Sequence, residues 1–324
     1  MITEAPSGVT LPRVAKRFFT QGACVLLSRP ATLDEVGLLL GEFPIAKRID
    51  QGTTPEMGGP SFTVAFRPEV NGYLIVDVQD RPWPDHMGDP QREPTLLGAW
   101  SMGFFGPFAF PGNLRRAAQQ SWAWKDAKDV PDRHRAFIRV LSSYVLGASG
   151  DIAVLPQSYD PLVEMQFLTR VCRALLRHPS ALAYFNPNGE TLRNDAFLDG
   201  SIDRHTKEGL PPLDIWTNVR LFNPSNDWLL MDTVGMEQLD RPDSEACFPK
   251  GAYNPSEVDQ FLRTVALYLM TKGEVIKQGD TMDGPGGVRW RALHVEEPLA
   301  PPPRRVLRWF PVDGSTPPAE ISGS

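Results

Sequence analysis

Residues 23–28 (ACVLLS) and 32–42 (TLDEVGLLLGE) decide how this chain is read. The first is a short β-branched and aliphatic run, the composition of a buried strand. In the second, Thr32 precedes Glu35 by three residues. At that spacing hydroxyl and carboxylate can each satisfy a main-chain N–H at a helix start. A strand followed by a helix is therefore the opening unit. Residues 62–67 and 73–79 predict two more strands, and the loop between them contains Asn71-Gly72, a hairpin signal.

Residues 80–111 change character. They are dense in Pro, Gly, Trp and Phe and carry no clean period. Disordered segments lack aromatics, so this stretch reads as an ordered aromatic loop. Asn113 then reads as the cap of a short helix, and residues 134–146 as a strand. The second half repeats the grammar. Asp160-Pro161 opens a long helix whose apolar residues, from Leu162 to Leu175, recur at three- and four-residue steps. A strand at 181–185, a hairpin from 215–222 to 228–233, a helix from Pro255 ended by Gly273, and a strand in VRWRALHV follow. From Pro301 onward the chain is Pro-rich and reads as an extended tail. The expectation is an α+β fold: two similar mixed α/β sandwich halves, residues 1–150 and 151–324, with mainly antiparallel sheets and helices on one face.

The chain has 324 residues, with 33 Lys+Arg against 39 Asp+Glu and a formal net charge of −6. Hydrophobic residues make up 41%, which rules out disordered or fibrous classes. The acidic balance argues against a broad phosphate-binding surface, so no direct contact with nucleic acid is expected. No stretch approaches the ~20 apolar residues that cross a bilayer, and the N-terminus lacks a secretory h-region. Three scattered cysteines (Cys24, Cys172, Cys247) form no zinc or disulfide pattern, and a reducing cytoplasm is the expected location.

Chemistry-bearing motifs are sparse. Asp85-His86-x-x-Asp89 could orient an imidazole between carboxylates, the arrangement of half a metal or acid–base site, although a solvated polar loop explains it as well. Neither a G-x-S-x-G elbow nor a phosphate loop occurs, and Gly279–Gly287 lacks the alternating ligands of a calcium loop. No cofactor or metal is expected. Two acidic stretches are stronger signals. Residues 226–245 hold Asp227, Asp232, Glu237, Asp240, Asp243 and Glu245 against Arg241 alone; residues 77–93 hold Asp77, Asp80, Asp85, Asp89 and Glu93 beside Trp100 and Phe104. Carboxylates rimming aromatic anchors suit capture of a basic protein. Asp85, Asp89, Trp100, Phe104, Asp232, Glu237, Asp240, Asp243 and Glu245 are therefore the expected partner-binding residues. Two solvated loops over core aromatics are the plainer alternative.

ACVLLSRPATLDEVGLLL, AWSMGFFGPFAFPG with QQSWAW, HRAFIRV and the late KGEVIKQGDT together resemble a bacterial family of unknown function. That family pairs an A-x-V-L-L-S … L-D opening with a G-x-V-x-x-x-G-D-T signature, and the likeness runs loosely over about residues 20–295. Such proteins occur as immunity or accessory proteins beside type VI secretion toxins, and this chain resembles the immunity partner of a nuclease effector. The resemblance implies a non-enzymatic cytoplasmic protein that neutralises a cognate toxin with a basic surface. It transfers no site residue, and residues 236–251 are longer and more acidic than the pattern. The alternatives are an enzyme built around His86 and an effector chaperone or adaptor.

Overall fold

The computed structural model describes residues 16, 18–54, 56–147 and 155–322. Seven strands form the first sheet: β1 (Gln21–Leu27), β2 (Ile45–Ile49), β3 (Ser61–Arg67), β4 (Gly72–Gln79), β5 (Ala136–Ser143), β6 (Ala181–Asn186) and β7 (Thr191–Arg193). Their order is β2-β3-β4-β5-β1-β6-β7, and every pair is antiparallel. Six strands form the second: β8 (Asn218–Phe222), β9 (Trp228–Val234), β10 (Asp243–Pro249), β11 (Thr281–Asp283), β12 (Arg289–Val295) and β13 (Val306–Pro311). Here the order is β11-β12-β13-β10-β9-β8, and β10 with β13 is the one parallel pair. The helices that matter for the site are α1 (Leu33–Leu39), α2 (Pro94–Met102), α3 (Asn113–Gln119), α4 (Val130–Arg133), α5 (Pro161–Leu175), α6 (Asp195–Glu208), α7 (Leu213–Trp216) and α8 (Pro255–Lys272). The fold is α+β.

Both sheets follow one plan. A first strand leads through a helix into a meander, whose last strand returns beside the first: β1, α1, then β2 to β5, and β10, α8, then β11 to β13. A hairpin pairs with the other flank of each first strand, β6-β7 on β1 and β9-β8 on β10. The first meander has four strands and the second three. One strand fewer reverses the direction of the returning strand, which is why β13 lies parallel to β10 while β5 lies antiparallel to β1.

β1 explains why the first sheet is buried on both faces. Its side chains alternate, so Ala23, Val25 and Leu27 enter a core closed by α1 and α5, and Cys24 and Leu26 enter a second core. That second core is the aromatic segment: Trp83 packs edge-on against Trp100, Phe105, Phe137 and Phe185 at 5.2–6.1 Å. The capping box at Thr32 and Glu35 is present, with both reciprocal bonds made.

Several local expectations change. Asn113 is the first helical residue of α3, and Gly112 occupies the cap position at φ 82°. The carboxylate of Asp85, 29 residues upstream, accepts from the N–H groups of Leu114 and Arg115 in its place. Residues 301 onward do not form a simple extended tail, because Val306–Pro311 is a fully paired interior strand. The division expected near residue 150 falls among residues 148–154, outside the described residues, as do residues 1–15 and 17 of the N-terminal stretch read for a signal. By strand membership the change from one sheet to the other falls between Arg193 and Asn218.

Candidate functional site: the seam between the sheets

The acidic stretch at 226–245 does not form an exposed face. Asp232, Asp243 and Glu245 lie in paired strands and are buried to 0% exposure. This corrects the expectation of a docking surface there, and the reason is charge pairing over long sequence distances. Arg220 of β8 grips Asp232 through Nε and Nη2 and reaches Glu190 with Nη1 at 2.9 Å. Arg304 donates to Asp232 at 2.6 Å and approaches Asp243 at 3.5 Å, and Arg308 donates to Glu245 at 2.9 Å. Arg116 of α3 completes the set on Glu190. Four guanidinium groups thus meet four carboxyls, which is how a buried acidic cluster is tolerated. Glu190 sits in the β6-β7 turn and Arg220 in the second sheet, so the network joins the two sheets.

The remaining expected contacts are also engaged internally. Glu237 is half-buried, accepts from the N–H of Arg305, and has its carboxyl pushed up by burial. Asp240 pairs with Lys16 at 3.1 Å. Trp100 is a core residue, and Phe104 packs edge-on against Phe19 at 4.9 Å. Asp85 caps α3, while Asp89 is exposed and accepts from the N–H groups of Gln91 and Arg92. The motif Asp85-His86-x-x-Asp89 does not converge: the neighbour of His86 is Glu93, at 3.3 Å. Cys247 lies inside β10, and burial pushes all three thiols upward, away from thiolate character.

A knot of neutral polar groups closes the seam further. Gln238 donates to the carbonyls of Trp216 and Gly235, accepts from Asn186, and its own carbonyl receives Gln21 at 2.6 Å. Packing is tight enough that a Cβ on Gly189 would stand 1.8 Å from the carbonyl oxygen of Trp216.

Beside the knot lies a groove of about 600 Å³. Its floor is the β8 edge at Val219 and Leu221, one wall is α6 with His205 and Arg204, the other is the start of α8 with Asp259 and Arg263. An adjoining hollow of about 230 Å³ shares His205, Asp214, Val219 and Arg263. Trp122 stands at the rim, 68% exposed. Sequence reading missed this site because its parts come from α3, β7, α6, β8 and α8.

Two cations in the groove are neutralised: Arg204 by Asp214 at 2.6 Å and Arg263 by both oxygens of Asp259. Arg193 differs. It is 5% exposed, and its guanidinium is held by main-chain carbonyls, Asp214 O at 2.8 and 3.1 Å and Leu192 O at 3.0 Å. Among the described residues no carboxylate pairs with it. Burial pushes its pKa down to about 10, opposed by the nearby charge of Asp214, so the cation persists at neutral pH without a hydrogen-bonded carboxylate. The Phe197 ring lies 4.9 Å from the guanidinium. A buried cation beside an open groove and an exposed indole can hold an anionic group carrying an apolar body.

Residues 232–310 match the family model of a domain of unknown function, DUF4261. The matched span runs from the middle of β9 through the strand, helix and meander of the second sheet, and it contains Asp232, Asp243, Glu245, Arg304 and Arg308. No curated protein matches the chain, and no solved structure matches it.

Proposed function

We propose that this chain works by holding another molecule, and that the groove between the sheets is where it does so. The observation that carries the reading is Arg193: a buried cation whose hydrogen bonds all go to main-chain carbonyls, lining an open groove rimmed by Trp122. An incoming carboxylate would gain a charge-assisted bond in a partly desolvated site. Neutralisation of a type VI secretion toxin in the cytoplasm is the form of binding that the sequence resemblance suggests. The partner's contacting group is then acidic, since Asp232, Asp243 and Glu245, the buried part of the acidic stretch, are committed to arginines inside the fold.

The test is to mix the purified chain with the purified product of the neighbouring reading frame, and to measure complex formation by size exclusion and calorimetry. A stable complex is expected, weakened at least tenfold by Arg193→Met or Trp122→Ala. No complex, or one indifferent to both changes, overturns the reading.

A second reading has its own observation. His205 Nδ1 bonds the carbonyl of Ser201 at 2.8 Å, which leaves Nε2 as the basic nitrogen, with Asp214 3.8 Å from Nδ1. Such a pair could serve as a general base in the groove. Turnover of ester or phosphoester substrates by the isolated chain, abolished in His205→Gln, would favour it.

A further inference from the structure

β8 is the outer strand of its sheet: β9 pairs with one flank, and among the described residues no strand pairs with the other. On the open flank one side chain satisfies the main chain. The N–H of Leu221 donates to Gln120 Oε1 at 3.2 Å, and the carbonyl of Leu221 accepts from Gln120 Nε2 at 3.3 Å. A single amide thereby makes the two bonds that one residue of an adjacent antiparallel strand would make. Both distances lie at the long end of the hydrogen-bond range. By the two-residue period of a strand, Val219 directs its N–H and carbonyl to this same flank, and Val219 and Leu221 both line the groove.

We infer that the open edge of β8 is a strand-addition site, where an extended acidic peptide segment of a partner displaces the Gln120 side chain and pairs with Val219 and Leu221. Main-chain bonds supply affinity in this mode, and pockets for alternate side chains supply selectivity. The groove supplies both: Arg193 takes a carboxylate, and Trp122 covers the apolar side of the segment. The occupant is a peptide because the edge offers main-chain groups to a ligand, and it is acidic because the groove is lined by three arginines (Arg193, Arg204, Arg263) against two carboxylates (Asp214, Asp259), and Arg193 has no hydrogen-bonded carboxylate. The inference rests on the groove-binding reading above and specifies its chemistry.

The test uses the full chain and defined probes. Calorimetry is run with the capped pentapeptide Ac-Val-Glu-Val-Glu-Val-NH2, with two copies N-methylated at odd or at even residues, and with glutarate. The unmodified peptide should bind, and one N-methylated copy should lose at least tenfold, because the methyl group removes donors that face β8. Gln120→Ala should tighten the peptide several-fold by removing the competitor, and its melting temperature reports whether the fold is intact. Glutarate should bind at least tenfold more weakly than the peptide. If both N-methylated copies bind as well as the parent, the site recognises an anion without strand pairing; the inference falls while the groove reading stands. If the peptide binds neither the parent nor Gln120→Ala, the inference is overturned, and the neighbouring-protein experiment decides the groove reading separately.

Discussion

Arg220 and Arg193 are both buried arginines on edge strands, β8 and β7, and they have opposite surroundings. Arg220 meets carboxyl oxygens of Asp232 and Glu190, whereas Arg193 meets carbonyls of Asp214 and Leu192. The first arrangement closes its charge account within the molecule. The second leaves one positive charge facing a groove. Burial alone therefore does not separate a structural arginine from one available to a ligand; the identity of the accepting oxygen does.

The largest expected effect tests the structural side. Arg220→Met leaves Asp232 with Arg304 alone and Glu190 with Arg116 alone in the seam, and urea unfolding should show a loss of about 3 kcal/mol. A loss below about 1 kcal/mol would mean that the network contributes little to joining the sheets. Next comes the pH dependence of Asp243. Burial, opposed by Arg304, pushes its carboxyl up to about 7 from the ordinary 3.8. The folded chain thus keeps this proton to higher pH than the unfolded chain does. The stability it contributes is complete below about pH 4 and is lost as pH rises through about 7. In Asp243→Asn that slope should vanish, so the stability gap between parent and variant should narrow from pH 4 to 7.5; a constant gap would contradict it.

Arg193→Met should cost less than about 1.5 kcal/mol. Three bonds to carbonyls are lost, but a desolvated charge without a hydrogen-bonded carboxylate is lost with them. If it proves as damaging as Arg220→Met, the contrast between the two arginines fails. Trp122→Ala sits at the small end: an exposed indole should move stability by no more than about 0.5 kcal/mol while weakening partner capture.

Much of the fold was readable along the chain, since it is written locally. The capping box at Thr32, the Asn71-Gly72 hairpin and the apolar stripe of α5 need no distant partner to be recognised. What escaped was set by distance. Asp243–Pro249 reads as an acidic loop until Arg304 and Arg308, some 60 residues on, neutralise its carboxyls. Val306–Pro311 reads as part of a proline-rich tail until β10 and β12 accept it between them. The groove escaped for the same reason. No single segment carries Trp122, Arg193 and Leu221 together, and an arginine count says nothing about which guanidinium lacks a carboxylate.

The position of β13 has a consequence for how the molecule is made. Until residues 306–311 emerge from the ribosome, β10 and the β11-β12 hairpin have no common neighbour, and each presents a bare hydrogen-bonding flank. The second sheet must therefore finish after the first, through a pairing that spans about sixty residues, and that interval is when the nascent chain is most exposed to aggregation.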